Sequence, residues 1–298
     1  MKRMARIATA SILLDDASSK YEVGIERALS AVDEAAQWNP DLIVLPEEFD
    51  ICGVPKARRQ KIGERVPGGP IQEQFAERAR RHKVNVVIDI RERAGRSFYN
   101  TAVVIDRSGR YVGKYRKTHL APGESEEVTA GDDYPVFRLD FGVIGVLTCM
   151  DIHFPEIWRI LALQGADVIV HPAMWLDYTG DLCESLVNAR AIDNQVYVVT
   201  SHYISMPYLA GRHMGCSRIV DPYGRTRAST SHRPGVAVAE VDLDEGYESW
   251  FTGALKKRYP TLKECMLGMR RPETYGIITR PDSRNSWKIK RPSLRVKD

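Results

Sequence analysis

The feature that most constrains this chain is a series of short apolar runs, separated by segments with helical periodicity. Ile7–Ile12, Asp41–Leu45 and Val84–Ile90 are mostly apolar and have the length of buried strands. Tyr21–Trp38 and Ile71–His82 lie between them and carry apolar residues three and four positions apart. This alternation predicts strand–helix–strand units, which pair in parallel and place their helices outside the sheet.

Hairpins complete the pattern. Their paired segments are Asn100–Asp106 with Tyr111–Tyr115, Val136–Leu139 with Val143–Leu147, and Cys216–Val220 with Val236–Val241. Together, the two kinds of unit predict an α/β fold, a four-layer α-β-β-α sandwich with two mixed β-sheets. We assign residues 1–250 to one domain. Residues 251–298 are rich in Lys, Arg and Pro and form a C-terminal extension. Two roles stay open for this extension: it contacts a neighbouring subunit, or it packs as a tail on the surface.

Composition excludes several classes of protein. A net charge of +4 spread over 298 residues is too dilute for a nucleic-acid-binding surface. No apolar stretch reaches the length of a membrane span. The basic, apolar start of the chain resembles a signal peptide, but it is short and runs straight into Asp15 and Asp16, so we interpret it as a strand. Five cysteines without a Cys-x-x-Cys pair favour a reducing compartment, and we expect a cytoplasmic protein.

Two carboxylates follow the apolar run that ends at Leu45. Glu47 and Glu48 come directly after Pro46. Acidic residues that merely begin a loop are one interpretation. The other is a general base at a strand end, with a pKa raised by partial burial.

Two further strand ends carry reactive groups. Lys117 follows the second strand of a hairpin, where it is either part of an exposed basic edge or a fixed positive charge for an oxyanion. Cys149 ends the run Val143–Cys149 and precedes a helix that starts near Pro155. It is either a small buried hydrophobe or a nucleophile presented at a strand-to-helix turn.

Other catalytic patterns do not occur in the sequence. There is no Gly-x-Ser-x-Gly elbow, no P-loop and no Gly-x-Gly-x-x-Gly motif. The histidines show no close pairing typical of a metal site. We therefore expect no metal and no organic cofactor.

The three strand ends, in this order, resemble the nitrilase superfamily of carbon–nitrogen hydrolases. The matching blocks are Leu-Pro-Glu-Glu at Glu47, Tyr-Arg-Lys-Thr-His-Leu at Lys117 and Thr-Cys-Met-Asp at Cys149. Tyr99-Asn100-Thr-Ala is a supporting match, and the resemblance covers roughly residues 5–245. It implies Glu47 as general base, Lys117 as oxyanion partner and Cys149 as nucleophile. It also implies a homodimer or a larger homo-oligomer.

The resemblance implies a fourth catalytic residue as well. Many family members carry a glutamate in the loop after the lysine, and the spacing to Gly131 favours Glu124. Glu126 and Glu127 stay open as alternatives.

The substrate is the least determined feature. Cys-Met-Asp replaces the Cys-Trp-Glu of true nitrilases, so the resemblance is to amidases and carbamoylases. We expect a small linear amide or N-carbamoyl amine as substrate, hydrolysed through a thioester. An acyltransferase or a non-catalytic interaction protein is the alternative. His153 stands where related enzymes place an arginine, which argues against a free α-carboxylate. The N–H of Met150, with His153, Trp175 and Tyr178, is our candidate set for substrate binding.

Overall fold

The computed structural model describes residues 2–175, 182–205, 217–231, 233–248 and 252–279. The chain divides into two compact units, Met1–Tyr247 and Glu248–Asp298. Tyr178 lies outside the described residues. No helix within the described ranges is long and apolar enough to cross a membrane.

The first unit contains twelve strands and five α-helices among its described residues. The strands are β1 Met4–Leu14, β2 Leu42–Val44, β3 Asn85–Ala94, β4 Ser97–Ile105, β5 Tyr111–Arg116, β6 Val136–Arg138, β7 Val143–Val146, β8 Val168–Pro172, β9 Tyr197–Ser205, β10 Arg218–Val220, β11 Thr226–Ser229 and β12 Gly235–Asp242. The helices are α1 Tyr21–Ala35, α2 Lys56–Arg59, α3 Pro70–His82, α4 Pro155–Leu163 and α5 Leu182–Asn194. The described part of the second unit contains α6 Gly253–Arg258 and α7 Leu262–Gly268.

The strands form two sets of six that are joined at one point. The first set has the order β5-β4-β3-β2-β1-β12, and the second runs β6-β7-β8-β9-β10-β11. Each set is mixed, with parallel pairs at its centre and antiparallel pairs outside them. Ser11–Leu14 at the end of β1 pairs in parallel with the end of β9. The α/β class is confirmed, and this junction connects all twelve strands where we expected separate sheets.

The first helix shows how local sequence shapes these elements. The predicted segment Tyr21–Trp38 is helical, with α1 ending at Ala35 and a 3-10 turn covering Ala36–Trp38. Asn39 then adopts the left-handed conformation, with φ of 47°, and Pro40 follows. Asparagine tolerates that conformation, and the residue before a proline avoids the helical region, so the helix must end here.

Alternate residues of the first strand set face two different apolar clusters. Val86, Ile88 and Ile90 of β3 pack in a cluster with α1 and α3. Val87 faces the other way, into a cluster that includes β7, β8 and α4. This two-sided burial follows from the period of two along a strand.

Candidate active site

The three reactive residues come together at one edge of the strands. β2 and β5 run in the same direction, as do β7 and β8, so their carboxyl ends lie on the same side of each set. Glu47 follows β2, Lys117 follows β5 and Cys149 follows β7. All three line one cleft of about 340 Å³. Clefts at the carboxyl ends of parallel strands are the usual ligand sites of α/β proteins.

Lys117 is a buried cation between two carboxylates. Its Nζ lies 2.8 Å from Oε1 of Glu47 and 2.7 Å from Oε2 of Glu124, and the residue is 2% exposed. Burial lowers the pKa of Lys117, but the charges of Glu47 and Glu124 and the hydrogen bond to Glu124 outweigh it and hold that pKa well above its usual value. The ammonium therefore stays charged at neutral pH.

The loop after Lys117 places only one of its three glutamates against this lysine. Glu124 accepts hydrogen bonds from Lys117 and from the backbone N–H of Ala121, at 2.7 and 2.8 Å. Glu126 pairs instead with Lys56 at 2.8 Å, near solvent. Glu127 is buried, with a side chain that is 5% exposed, and it accepts two hydrogen bonds from Arg59.

Asn100 is a fifth polar member of the site, and our sequence analysis gave it no role. Its Nδ2 donates to Oε1 of Glu47 at 2.8 Å and to Oε1 of Glu124 at 3.2 Å. The residue is 1% exposed on β4, a strand that is otherwise apolar from Ala102 to Ile105. A buried asparagine in such a strand needs polar partners. Its position in an apolar strand was therefore the sequence signal that could have indicated a role in the site.

Glu47 is held in place at both ends. Its Oε2 accepts a hydrogen bond of 2.7 Å from the N–H of Met174, and its backbone carbonyl accepts one of 2.6 Å from Tyr203. Burial alone would raise the pKa of Glu47. The charge of Lys117 and the hydrogen bonds from Lys117 and Met174 overcome burial, so the pKa lies below its usual value. Our expectation of a raised pKa was wrong, because it could not include a cation 2.8 Å away.

Cys149 stands in an unusual backbone conformation. Its φ is 46°, a left-handed value that costs about 1–2 kcal/mol for a residue with a side chain. The residue begins a 3-10 turn and is 9% exposed. Burial, followed by the charge of Glu47, raises the pKa of the Cys149 thiol well above its usual value, although Lys117 opposes this. The resting site therefore contains a thiol, and its Sγ donates a hydrogen bond to the backbone carbonyl of Met174 at 3.6 Å.

Three of the four predicted substrate-binding residues lie within the described part of the chain. Met150, His153 and Trp175 are not among the described residues that line the cleft. His153 is exposed and meets the edge of the Trp175 ring at 5.4 Å. The cleft wall that the sequence did not indicate contains Ile51, Cys52, Gly53 and Met174.

Arg190 on α5 is not among the described residues that line the cleft. Its guanidinium is buried and donates two hydrogen bonds to the carbonyl of Ile152. Within the described ranges, no group of three or more His, Cys, Asp or Glu residues is arranged to hold a metal ion.

Comparison with known proteins agrees with this geometry. The model of the carbon-nitrogen hydrolase family matches residues 7–249. The chain belongs to the carbon-nitrogen hydrolase family. The chain is therefore a carbon–nitrogen hydrolase, and one of its clefts contains a cysteine, a carboxylate and a lysine together.

Its relatives include enzymes named as amidases. A deaminated glutathione amidase of Synechocystis is 33% identical over 238 residues, which are 74% of this chain and 86% of the relative. A nitrilase of Pyrococcus abyssi is 35% identical over 221 residues, covering 73% and 82% of the two chains. The crystal structure of Saccharomyces cerevisiae Nit3, a member of branch 10 of the nitrilase superfamily, is 27% identical with a TM-score of 0.71. It covers 80% of this chain and 90% of Nit3.

We expect Glu124→Gln to lower kcat/KM on the order of 10²-fold, because it removes one of the two anions that hold the Lys117 ammonium. Glu126→Gln is the matched control in the same loop. Its partner Lys56 lies near solvent, so kcat/KM of Glu126→Gln should stay within about twofold of wild type. Steady-state kinetics of both variants checks this, and equal losses would contradict the assignment of Glu124.

His171 supports the carbonyl of Cys149. Its Nε2 lies 3.0 Å from that oxygen, so Nε2 carries the proton, and Nδ1 has no hydrogen-bond partner among the residues that the structure describes. Burial lowers the pKa of His171 to about 4, from 6.5 in an exposed histidine. Between these two values the unfolded chain binds the proton and the folded protein does not.

The free energy of unfolding should therefore fall as the pH drops from 6.5 towards 4, by up to roughly 3 kcal/mol from His171. In His171→Gln, the amide can still donate to the Cys149 carbonyl but does not titrate. Denaturant unfolding of both proteins across this pH range isolates the contribution of His171. If the free energy of unfolding of the two proteins changed in parallel with pH, the contribution of His171 would be contradicted.

Proposed function

We propose that this enzyme cleaves a non-peptide C–N bond in a small linear amide or N-carbamoyl amine, through a thioester on Cys149. The observation that carries this proposal is the buried cluster in one cleft, with Lys117 between Glu47 and Glu124 and the Cys149 thiol lining the same cleft. A carboxylate, a thiol and a fixed cation are the groups that acyl transfer to sulfur requires.

In the first half of the proposed reaction, Glu47 takes the thiol proton as Sγ of Cys149 attacks the carbonyl carbon. Because the thiol pKa is raised, proton transfer accompanies attack and does not precede it. Lys117 and the N–H of Met150 stabilise the oxyanion. The tetrahedral intermediate then collapses, the C–N bond breaks, and Glu47 returns its proton to the leaving nitrogen.

In the second half, water attacks the thioester carbonyl, and Glu47 accepts a proton from it. The C–S bond breaks, and Cys149 regains a proton as the carboxylic or carbamic acid leaves. Glu47 serves both halves because its lowered pKa keeps it ionised between them. A carbamic acid product decomposes to carbon dioxide and an amine or ammonia.

The cleft supports a small and largely uncharged acyl group. Its volume is about 340 Å³, and Ile51 and Met174 contribute apolar surface. The cations at its mouth are already engaged, Lys56 with Glu126 and Arg59 with Glu127. The name of the Synechocystis relative supports an amide as the substrate class. The Pyrococcus relative is named a nitrilase, so nitriles belong in the test.

The test is a panel of short linear amides, N-carbamoyl amines and nitriles, with ammonia and carbon dioxide both measured. We expect ammonia from amides, and carbon dioxide in addition where the substrate is a carbamoyl amine. Turnover of nitriles alone would overturn the proposed substrate class. The absence of turnover across the panel would overturn the small-substrate proposal as a whole.

We further propose the architecture that supports this chemistry. Two apolar clusters on opposite faces of β3 support a four-layer α-β-β-α order within residues 1–250.

The proposal includes a homodimer or larger homo-oligomer, with residues 251–298 in subunit contacts. Exposed apolar residues on α4 and α5, at Ile160, Leu163 and Ile192, support association through that surface. Light scattering on the purified protein measures the state directly.

A further inference from the structure

Two neighbouring turns of the active site each contain a non-glycine residue in the left-handed conformation. Glu48, directly after the base Glu47, has φ of 41°, and Cys149 has φ of 46°. Such residues persist only where surrounding contacts hold them. The separation of Glu47 from Cys149 depends on both turns, because each turn sets the direction of one reacting side chain.

One buried carboxylate contacts both turns. Asp89 lies on β3, is fully buried and shares the strand face of Val87. Its Oδ1 accepts the backbone N–H of Glu48 at 3.0 Å. Its Oδ2 is 3.0 Å from Oγ1 of Thr148, the residue immediately before the nucleophile.

The nucleophile turn is also held from its opposite side. Asp151 accepts the backbone N–H of Thr148 at 2.9 Å and the hydroxyl of Tyr115 at 2.6 Å. It also accepts the backbone N–H of His119, two residues after Lys117, at 3.2 Å. Asp151 thus connects Thr148 to the lysine segment, and Asp89 connects the same residue to the segment of the base.

We propose that Asp89 is a positioning residue, which sets the spacing between Glu47 and Cys149 by holding the backbone of Glu48 with one oxygen and the hydroxyl of Thr148 with the other. The inference rests on the proposed function, since it assigns those two residues as base and nucleophile. Asp89 does not line the cleft and takes no part in bond making. Its contribution is geometric, and small displacements of reacting groups reduce rates strongly.

Burial, with the charges of Glu47 and Glu48, raises the pKa of Asp89 well above its usual value. A neutral residue of the same shape is therefore a fair replacement. In Asp89→Asn, Oδ1 still accepts from Glu48, and Nδ2 can donate to Oγ1 of Thr148. Asp89→Ala removes both contacts. Thr148→Val removes one contact and keeps the side-chain shape.

The experiment measures the rate at which iodoacetamide alkylates Cys149, followed by mass spectrometry of its peptide, in the full-length variants. This readout requires no substrate, so it still tests the inference if the panel shows no turnover. The control is Asp221→Ala, which removes another fully buried aspartate that accepts two backbone N–H groups, in a turn that does not line the cleft.

We expect Asp89→Ala and Thr148→Val to slow alkylation of Cys149 at least about tenfold, and Asp89→Asn to stay within about threefold of wild type. Where a substrate is available, kcat should fall with KM nearly unchanged. Asp221→Ala should lower the melting temperature without slowing alkylation. If Asp89→Ala does not fold, Thr148→Val decides. The inference is overturned if the slowing is no larger than in Asp221→Ala, or if Asp89→Asn is as slow as Asp89→Ala.

Discussion

Replacing Cys149 by alanine should lower release of ammonia by at least about 10⁴-fold on every substrate that the wild-type enzyme turns over. Alanine offers no nucleophile, and neither Glu47 nor Lys117 can form the acyl intermediate. The expected loss is in kcat, because the volume removed from the cleft is small. Steady-state assays of ammonia measure it. Intact mass spectra of the wild type with a slow substrate should show an acyl adduct that the variant lacks.

The matched control is Cys183→Ala. Cys183 is also a buried thiol, but it lies on α5 and does not line the cleft. We expect its activity to remain within about twofold of wild type, with a modest loss of stability from the lost packing. If Cys149→Ala keeps a tenth or more of the activity, the thioester mechanism fails, whatever the substrate is.

The second large effect should follow from Lys117→Met. The change leaves Glu47 and Glu124 buried without the cation that now lies 2.8 and 2.7 Å from them. The pKa of Glu47 should then rise, because burial is no longer opposed by the lysine charge. We expect kcat/KM to fall by about 10²–10³-fold as base and oxyanion partner are both impaired. The free energy of unfolding should fall by about 3 kcal/mol.

Lys114→Met is the control for stability. Lys114 also pairs with a buried carboxylate, 2.6 Å from Glu92, but Glu92 retains Arg116 at 2.7 Å. Lys114→Met should therefore lose less free energy of unfolding than Lys117→Met. The double variant Glu47→Gln/Lys117→Met should recover part of the stability and none of the activity. Denaturant unfolding and steady-state kinetics of the two single variants and the double variant measure these changes in stability and activity. Equal stability losses in the two single variants would contradict the buried-charge argument.

Local sequence was sufficient for much of the fold. Helix α1, and the end of the helical segment before Asn39, followed from apolar spacing and from the Asn-Pro step, which act within one or two turns of the chain. The run before Cys149 predicted a buried strand for the same reason. The junction between β1 and β9 could not be predicted, because pairing between Leu14 and Ser205 joins residues far apart in the chain.

The active site, like the fold, could be predicted from the sequence only in part. The sequence by itself determined that Glu47, Lys117 and Cys149 follow apolar strands, because strand length and the residue after a strand are local properties. Only the tertiary structure decided that Glu124, and not Glu126 or Glu127, reaches Lys117, since a loop carries no fixed direction for its side chains.

Tertiary structure likewise brought Asn100 against Glu47 and reversed the expected direction of the pKa shift of Glu47. Burial of a carboxylate can be inferred along a strand, and burial alone raises its pKa. The neighbouring charge comes from Lys117, seventy residues away in the sequence, and a Coulomb interaction depends on distance in space. The order of the strands within the first set, which brings the ends of β2 and β5 to one side, supplies that distance.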